Sequence, residues 1–353
     1  ELRDKIAEDR VYAKIPKVDL DEIIISPKTL LEEFVPHYLD AKKHEGSRYW
    51  DSTLEELETL KKDSKKTVSY MVKEFEMKKA ADQYARAAVS KTGSLDMGRL
   101  HTYKYNEDLF KKVTTLPGAT NHGMVMVLDW SGSMISNLKE TLAQMYNLIW
   151  FCRQTRIPFE VFAFSDAYNR PPARYSFGLG RHDVEIIEKH FKVGNLALNN
   201  FKLLNFFSSK MTISDEMSMM HILWMLSARW SVASNWVSSY QPPTNLNLGG
   251  TPLNDAIVAM MELVPKFKKE TGVQKVNTIF LTDGASNNFA GIFDYKFNKE
   301  ENTHTEIINN LNVYSRNKLI LTDPVMNKTY EITNITNDLL RILKNRVPEM
   351  NVV

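Results

Sequence analysis

Residues 124–134 read MVMVLDWSGSM, and the chain is best understood outward from them. MVMVL is a short continuous apolar run, the pattern of a strand covered on both faces. It runs into Asp129, and Trp130, Ser131, Gly132, Ser133 and Met134 follow. One carboxylate and two hydroxyls therefore stand at alternate positions just past the strand. In an extended turn, residues i, i+2 and i+4 point to the same side, so one loop can aim three oxygens at one point. Gly132 lets the backbone pass close beneath them.

The flanking segments predict the fold. Residues 137–156 place Leu138, Leu142, Met145, Ile149 and Cys152 on one helical face, which makes Cys152 a core residue and not a reactive thiol. PFEVFAF (158–164) reads as a second strand and VNTIFL (276–281) as a third, with a helix at 252–268 before it. A loop and a helix are expected after residue 284. KLILTD and KTYEIT then flank the turn signal PVMN as a hairpin, and a helix at 336–346 precedes the strand-like NVV at the end. Strands alternating with helices predict an α/β fold: a doubly wound, mostly parallel sheet, with MVMVL central and VFAF and TIFL beside it.

Residues 1–121 read as a mainly helical N-terminal region and 122–353 as the sheet domain, with a helical insertion at about 166–250. Residues 1–50 look irregular, with Pro16, Pro27 and Pro36 scattered through them. Residues 53–90 read as helix, Val68, Met71, Val72 and Phe75 following the i, i+3, i+4, i+7 pattern. The Lys-rich run at 61–66 is a solvated helix face or a break between two helices. In the insertion, Met211, Met217, Met219, Met220 and Met225 lie close to Trp224, Trp230 and Trp236. They read as a helical core beneath the sheet, with an adaptable partner surface as the alternative.

Composition narrows the function. The chain has 353 residues, 43% hydrophobic and 25% charged, and its 45 basic against 43 acidic side chains leave a net charge of +2. That is no electrostatic footprint for nucleic acid. One cysteine excludes an internal disulfide and any Cys-based zinc site, and makes the cytoplasm the default compartment. No signal peptide is visible, and HILWMLSARWSVASNWV is interrupted by Arg229, so no membrane span is expected. The chain starts at Glu1 and ends on a strand-like NVV, so both ends are expected to be trimmed relative to the gene product. No G-x-x-x-x-G-K-[ST] occurs, so the chain is not itself an ATPase of the P-loop kind. The eight histidines form no H-x-x-x-H pair, and His101 and His122 read as structural.

Ligands of such sheets lie outside the carboxyl ends of the strands. Three segments carry polar residues there: Asp129-x-Ser131-x-Ser133, Gly249-Gly250-Thr251-Pro252-Leu253 and Leu281-Thr282-Asp283-Gly284. Two carboxylates and three hydroxyls form a set of hard oxygen donors that suits Mg²⁺ or Mn²⁺ and not zinc or copper. Pro252 favours the first position of a helix, which would put the Thr251 hydroxyl at its N-cap. Taken singly, Asp129 and Ser131 can merely cap a helix, and residues 282–284 can merely form a turn. Their order and their shared position at strand ends point instead to a metal site.

The set DWSGSM, GGTPL and LTDG resembles the metal-ion-dependent adhesion site of von Willebrand factor A (VWA) domains. The resemblance implies that Ser131, Ser133 and Thr251 bind the metal, with Asp129 and Asp283 acting through water. One coordination position would stay open for a carboxylate from a partner protein. Residues 78–105 also look like the segment that precedes the A domain in the cobalt chelatase subunit CobT, and GGTPL resembles the form in the magnesium chelatase D subunit. These matches cover residues 70–165 and 245–290; CobT's long acidic linker is absent, as in shortened forms that look like tailed-phage proteins. The resemblance implies a binding module for a MoxR- or CobS-type AAA+ ATPase. It leaves open a working subunit of a chelatase that inserts metal into a tetrapyrrole, or a phage structural or host-directed protein that keeps the fold. No catalytic residue is expected, and the oligomeric state stays open.

Overall fold

The computed structural model describes residues 10–44, 47–85, 88–106, 109–115, 122–168, 192–231, 243–287, 289, 291–298, 303–309 and 318–353. The centre is β5 (His122–Asp129), flanked by β6 (Phe159–Ser165) and β9 (Lys275–Leu281), both parallel to it. β14 (Met350–Val352) adds to β9 in parallel, so the terminal residues do form a strand. On the other side β8 (Lys202–Ser208) runs antiparallel to β6, and β2 (Ile24–Ile25) closes the edge in parallel with β8. The six-stranded order is β14-β9-β5-β6-β8-β2.

Alternation along β5 explains why it is central. Met124, Met126 and Leu128 enter one core, Val125 and Val127 the other. The first core is covered by α2 (Pro27–His44), α3 (Ser47–Ala85), α4 (Leu138–Thr155) and α5 (Ile213–Ser231). The second is covered by α1 (Leu20–Ile23), α6 (Leu253–Thr271) and α7 (Ile335–Arg346). Helices thus lie on both faces of a mostly parallel sheet. Among the described residues no helix is long and apolar enough to cross a membrane.

Several expectations are corrected. Residues 27–44 form α2 instead of irregular chain. Ser26 Oγ accepts from Thr29 N at 3.1 Å, Pro27 occupies the first turn where no N–H is needed, and Leu30, Phe34 and Tyr38 fall on one buried face. α3 is one unbroken helix. Trp50, Thr53, Leu57, Ser64 and Val68 are its buried residues among those described, and the lysines at 61, 62, 65 and 66 face solvent. It stops at Ala85 and not at 90, and β3 (Ala88–Leu95) then pairs antiparallel with β4 (Phe110–Thr115). Gly93, at φ 76, sits where their register shifts. The expected helix after residue 284 is a hairpin, β10 (Gly291–Asn298) with β11 (Thr303–Asn309), whose aromatic and β-branched residues favour strand. β10 also pairs with β7 (Leu196–Ala197).

The region at 166–250 is not purely helical, because β8 is a strand of the central sheet. Its helix α5 is a core element: Met219, Met220, Trp224 and Met225 are buried, and Met211, Met217 and Trp230 pack partly buried against the same core. The core reading holds for these residues; Trp236 lies outside the described residues. Buried His221 of α5 ties α2 and α3 to the bundle. Thr53 Oγ1 gives its proton to carbonyls of its own helix, so it accepts from His221 Nε2 at 3.0 Å, and Tyr38 O–H donates to Nδ1.

The boundary expected near residue 121 is crossed by two pairings. β1 (Arg10–Lys14) lies parallel to β12 (Lys318–Asp323), and β2 lies on β8. β12 and β13 (Lys328–Glu331) make the expected hairpin, with Asn327 in the left-handed region at φ 50.

Candidate metal centre

Because β5 and β9 are parallel neighbours, Asp129 and Thr282 leave the sheet side by side at its carboxyl end. Asp129 is fully buried. Thr282 Oγ1 donates to its Oδ2 at 2.7 Å, while Oδ1 has no hydrogen-bond partner. Burial raises the Asp129 pKa. The hydroxyls of Thr282 and Ser131 oppose that rise, and the charge of Asp283 adds to it.

The alternation after Asp129 works in two directions. Trp130 turns away from the site into the core, edge-on to Phe206 and Trp230, with its indole N–H on Leu246 O at 2.9 Å. Ser131 is extended (φ −113, ψ 163), but residues 132–136 then coil into a short 3₁₀ turn, so the extended geometry expected through Ser133 ends at Ser131. The turn still delivers convergence. The Ser131 and Ser133 hydroxyls lie 2.9 Å apart, and Ser133 Oγ donates to Asp283 Oδ1 at 2.9 Å. Each hydroxyl has one proton, so Ser131 donates to Ser133 and Ser133 to Asp283. Ser131 stands near enough to Asp129 to favour its charged form.

The Gly249–Leu253 segment is stitched to the first by backbone. Gly132 N donates to Gly249 O at 3.0 Å and Gly249 N to Trp130 O at 3.3 Å, forming a bridge between Ser131 and Gly249. The Asp166 and Asn287 side chains fill the space beside the two glycines and would have to move for any larger residue. A Cβ on Gly249 would lie 1.9 Å from Asp166 Oδ1, and one on Gly250 would lie 2.6 Å from Asn287 Nδ2. Asp166, just past β6, accepts from Gly250 N at 2.8 Å and so holds this loop. Sequence reading missed it; its only signal is a carboxylate one residue beyond a strand at the same sheet end. Thr251 is tied to the β9–β10 loop through its carbonyl, which accepts from Asn287 N at 2.8 Å and Ser286 Oγ at 3.3 Å.

Thr251 is not the N-cap of α6. Pro252 takes that position without a side-chain cap, and Ser286 Oγ accepts from Asn254 N at 2.8 Å instead. The Thr251 hydroxyl is therefore not spent on the helix end. Four of the five expected residues gather at one point: Ser133 bonds Asp283 directly and Ser131 reaches it through Ser133, while Asp129 is bonded to Thr282, the neighbour of Asp283 in sequence. Thr251 is drawn alongside by its backbone, without a side-chain bond to the other four.

The centre grades from a buried floor, Asp129 and Ser131, to an exposed rim, Ser133 and Asp283. Among the described residues no group of three or more His, Cys, Asp or Glu side chains has metal-holding form. A centre here would draw instead on two carboxylates and three hydroxyls, which is hard-cation chemistry. The unpartnered, buried Asp129 Oδ1 fits such an ion, because an orphaned carboxylate oxygen is costly unless a cation or donor meets it. His122, by contrast, packs edge-on against Phe75 of α3.

No known family model and no curated protein matches the chain.

Proposed function

We propose that the chain is a Mg²⁺-dependent protein-interaction module of the VWA type, CobT-like, that engages a MoxR- or CobS-type AAA+ ATPase through a Glu or Asp of that partner. The carrying observation is the unpartnered Asp129 Oδ1 beneath the Ser131–Ser133–Asp283 chain. In this reading Ser131, Ser133 and Thr251 hold the ion, while Asp129 and Asp283 act through water. Bound Mg²⁺ (or Mn²⁺) supplies a concentrated positive charge that prefers six oxygen ligands. Two carboxylates acting at one remove leave that charge incompletely cancelled, and the exposed rim leaves room for a partner's carboxylate. Asp129 presents its orphan oxygen from below; Ser133 and Asp283 define the mouth. In this reading the ion bridges two proteins, its open position filled by the partner's carboxylate.

The test is capture of an AAA+ ATPase by the purified chain, with and without EDTA, for wild type and Asp129→Ala. Capture that needs Mg²⁺ and fails in a folded Asp129→Ala variant supports the reading. Capture unaffected by chelation or substitution overturns it.

A further inference from the structure

A cavity of about 710 Å³ opens at the other end of β6, beneath α6 and beside the start of α2. Its size is that of small-molecule sites, commonly ~300–1,000 Å³. Phe162, Leu263, Phe267 and Leu31 give it apolar walls, and Glu160 supplies a carboxylate. Glu160 is the second residue of β6, on the face toward α6 and away from the metal centre at the strand's carboxyl end.

The backbone is distorted to hold this carboxylate. Glu160 pairs with Ser208 and Phe162 with Asn205, so one residue of β8, Phe206, is extra: a β-bulge. Residues 205 and 208 of a regular strand would point to opposite faces. The bulge puts both on Glu160's face, where Asn205 Nδ2 donates to Oε2 at 2.9 Å and Ser208 Oγ to Oε1 at 2.8 Å. Asn205 and Ser208 are themselves 9% and 5% exposed.

What remains in the cavity is acceptor capacity. The carboxylate accepts only, so the Asn205 amide must turn its nitrogen to Glu160; its Oδ1 is then left buried without a partner. Glu160 itself has lone pairs beyond the two in use. The lysines that line the cavity are matched elsewhere: Lys28 to Glu32 at 3.8 Å, Lys210 to Glu270 at 3.2 Å and Lys266 to Asp21 at 3.1 Å. Among the described residues none forms an ion pair with Glu160. Burial raises its pKa, against the pull of the Asn205 and Ser208 hydrogen bonds and the Lys210 charge, while Glu270 pushes the same way as burial. A positive charge in the cavity would relieve that cost.

We propose that this cavity binds an organic cation, a primary ammonium or guanidinium group on an apolar body, with the Glu160 carboxylate as its counter-charge. Such a group carries donors and no acceptor, the complement of the partly exposed Glu160 carboxylate. Its apolar body packs on Phe162, Leu263 and Phe267. The site shares no residue with the metal centre and does not depend on it.

The experiment titrates the full chain with benzylamine and with benzyl alcohol, followed by chemical-shift changes or calorimetry, in EDTA so that the metal centre is silent. Saturable benzylamine binding, at least about tenfold weaker for the alcohol, is expected. Glu160→Gln should weaken benzylamine by a similar factor with circular dichroism unchanged, and Leu31→Trp, which fills the cavity, should abolish binding with Glu160 intact. Absence of saturable benzylamine binding overturns the proposal, as does equal affinity for amine and alcohol. Undiminished affinity in a folded Glu160→Gln variant also overturns it. If Glu160→Gln does not fold, the amine–alcohol comparison on wild type decides alone.

Discussion

Thr282 donates a hydrogen bond of 2.7 Å to Asp129, from the end of β9 to the end of β5. Among the described residues it meets Oδ2 of a fully buried carboxylate whose Oδ1 has no hydrogen-bond partner. Thr282→Val keeps the shape and removes the donor. Without metal it should destabilise by about 1–3 kcal/mol, the usual cost of leaving a buried polar group unsatisfied. Denaturant unfolding in EDTA measures this; a change within about 0.3 kcal/mol would show that the bond contributes nothing there.

Asp129→Asn should act in opposite senses with and without metal. Burial raises the Asp129 pKa in the folded chain, so its ionised form opposes folding at neutral pH, and stability is lost as pH rises through that raised value. Asparagine removes the charge while remaining able to accept from Thr282. In EDTA at pH 7.5 the variant should melt at or above wild type. Added Mg²⁺ should stabilise wild type, by roughly 2.7 kcal/mol at a hundred times the dissociation constant, and leave the variant unmoved. Equal Mg²⁺ responses in calorimetric melts would rule out the centre as drawn.

Asp255 predicts a pH dependence separate from the metal. It is fully buried near the start of α6, accepts from Asn199 N at 2.8 Å and Asn199 Nδ2 at 3.0 Å, and has its pKa pushed up to about 7 by burial. The unfolded value is about 3.9. The native state therefore holds the proton more tightly. The associated stability is full below about pH 4, declines as pH rises toward 7, and stays lost above. At about 1.4 kcal/mol per pH unit, the loss approaches ~4 kcal/mol. Asp255→Asn fixes the uncharged form and should flatten this part of the profile. Unfolding free energies of both proteins at pH 5 and pH 8 test it, and parallel profiles would refute it.

The central strands were legible because a parallel strand covered on both faces must be apolar throughout, and MVMVL, VFAF and TIFL have no other use. The convergence of the candidate residues was legible for a related reason: Asp129, Ser131 and Asp283 interrupt that apolarity at strand ends, where the chain must leave the core. α2 was hidden by Pro27 and Pro36, since a proline that opens a helix looks locally like one that breaks it. The helical role of Thr251 was misread because Ser286, distant in sequence, caps α6 in its place. Glu160 was invisible for a third reason. Its site is made by a bulge at Phe206, and two adjacent phenylalanines in an apolar strand carry no mark of which one is extra.

Arg346 gives the last test, of how the far edge of the second core is held. Its guanidinium donates to both oxygens of fully buried Asp323, at 2.8 Å each, and to Glu262 at 3.2 Å. This joins the end of α7 to the end of β12 and to α6. Burial alone would raise the Asp323 pKa, but the hydrogen bonds and charge of Arg346 outweigh it and the net shift is downward, helped by the backbone N–H groups of Val325 and Met326. The sign follows: a depressed carboxylate adds stability that is present above its unfolded pKa of about 3.9 and lost as pH falls through the lower folded value. Arg346→Ala leaves Asp323 charged, buried and unpaired, which should cost about 3–5 kcal/mol at neutral pH. Arg346→Met in combination with Asp323→Leu removes both charges together and should recover most of that loss, because the cost lies in the stranded carboxylate and not in the missing attraction. Urea unfolding of the single and double variants separates the two. A double variant as unstable as Arg346→Ala would show that the pair is needed for its geometry, holding α7 in register on β12, and not merely for its charge balance.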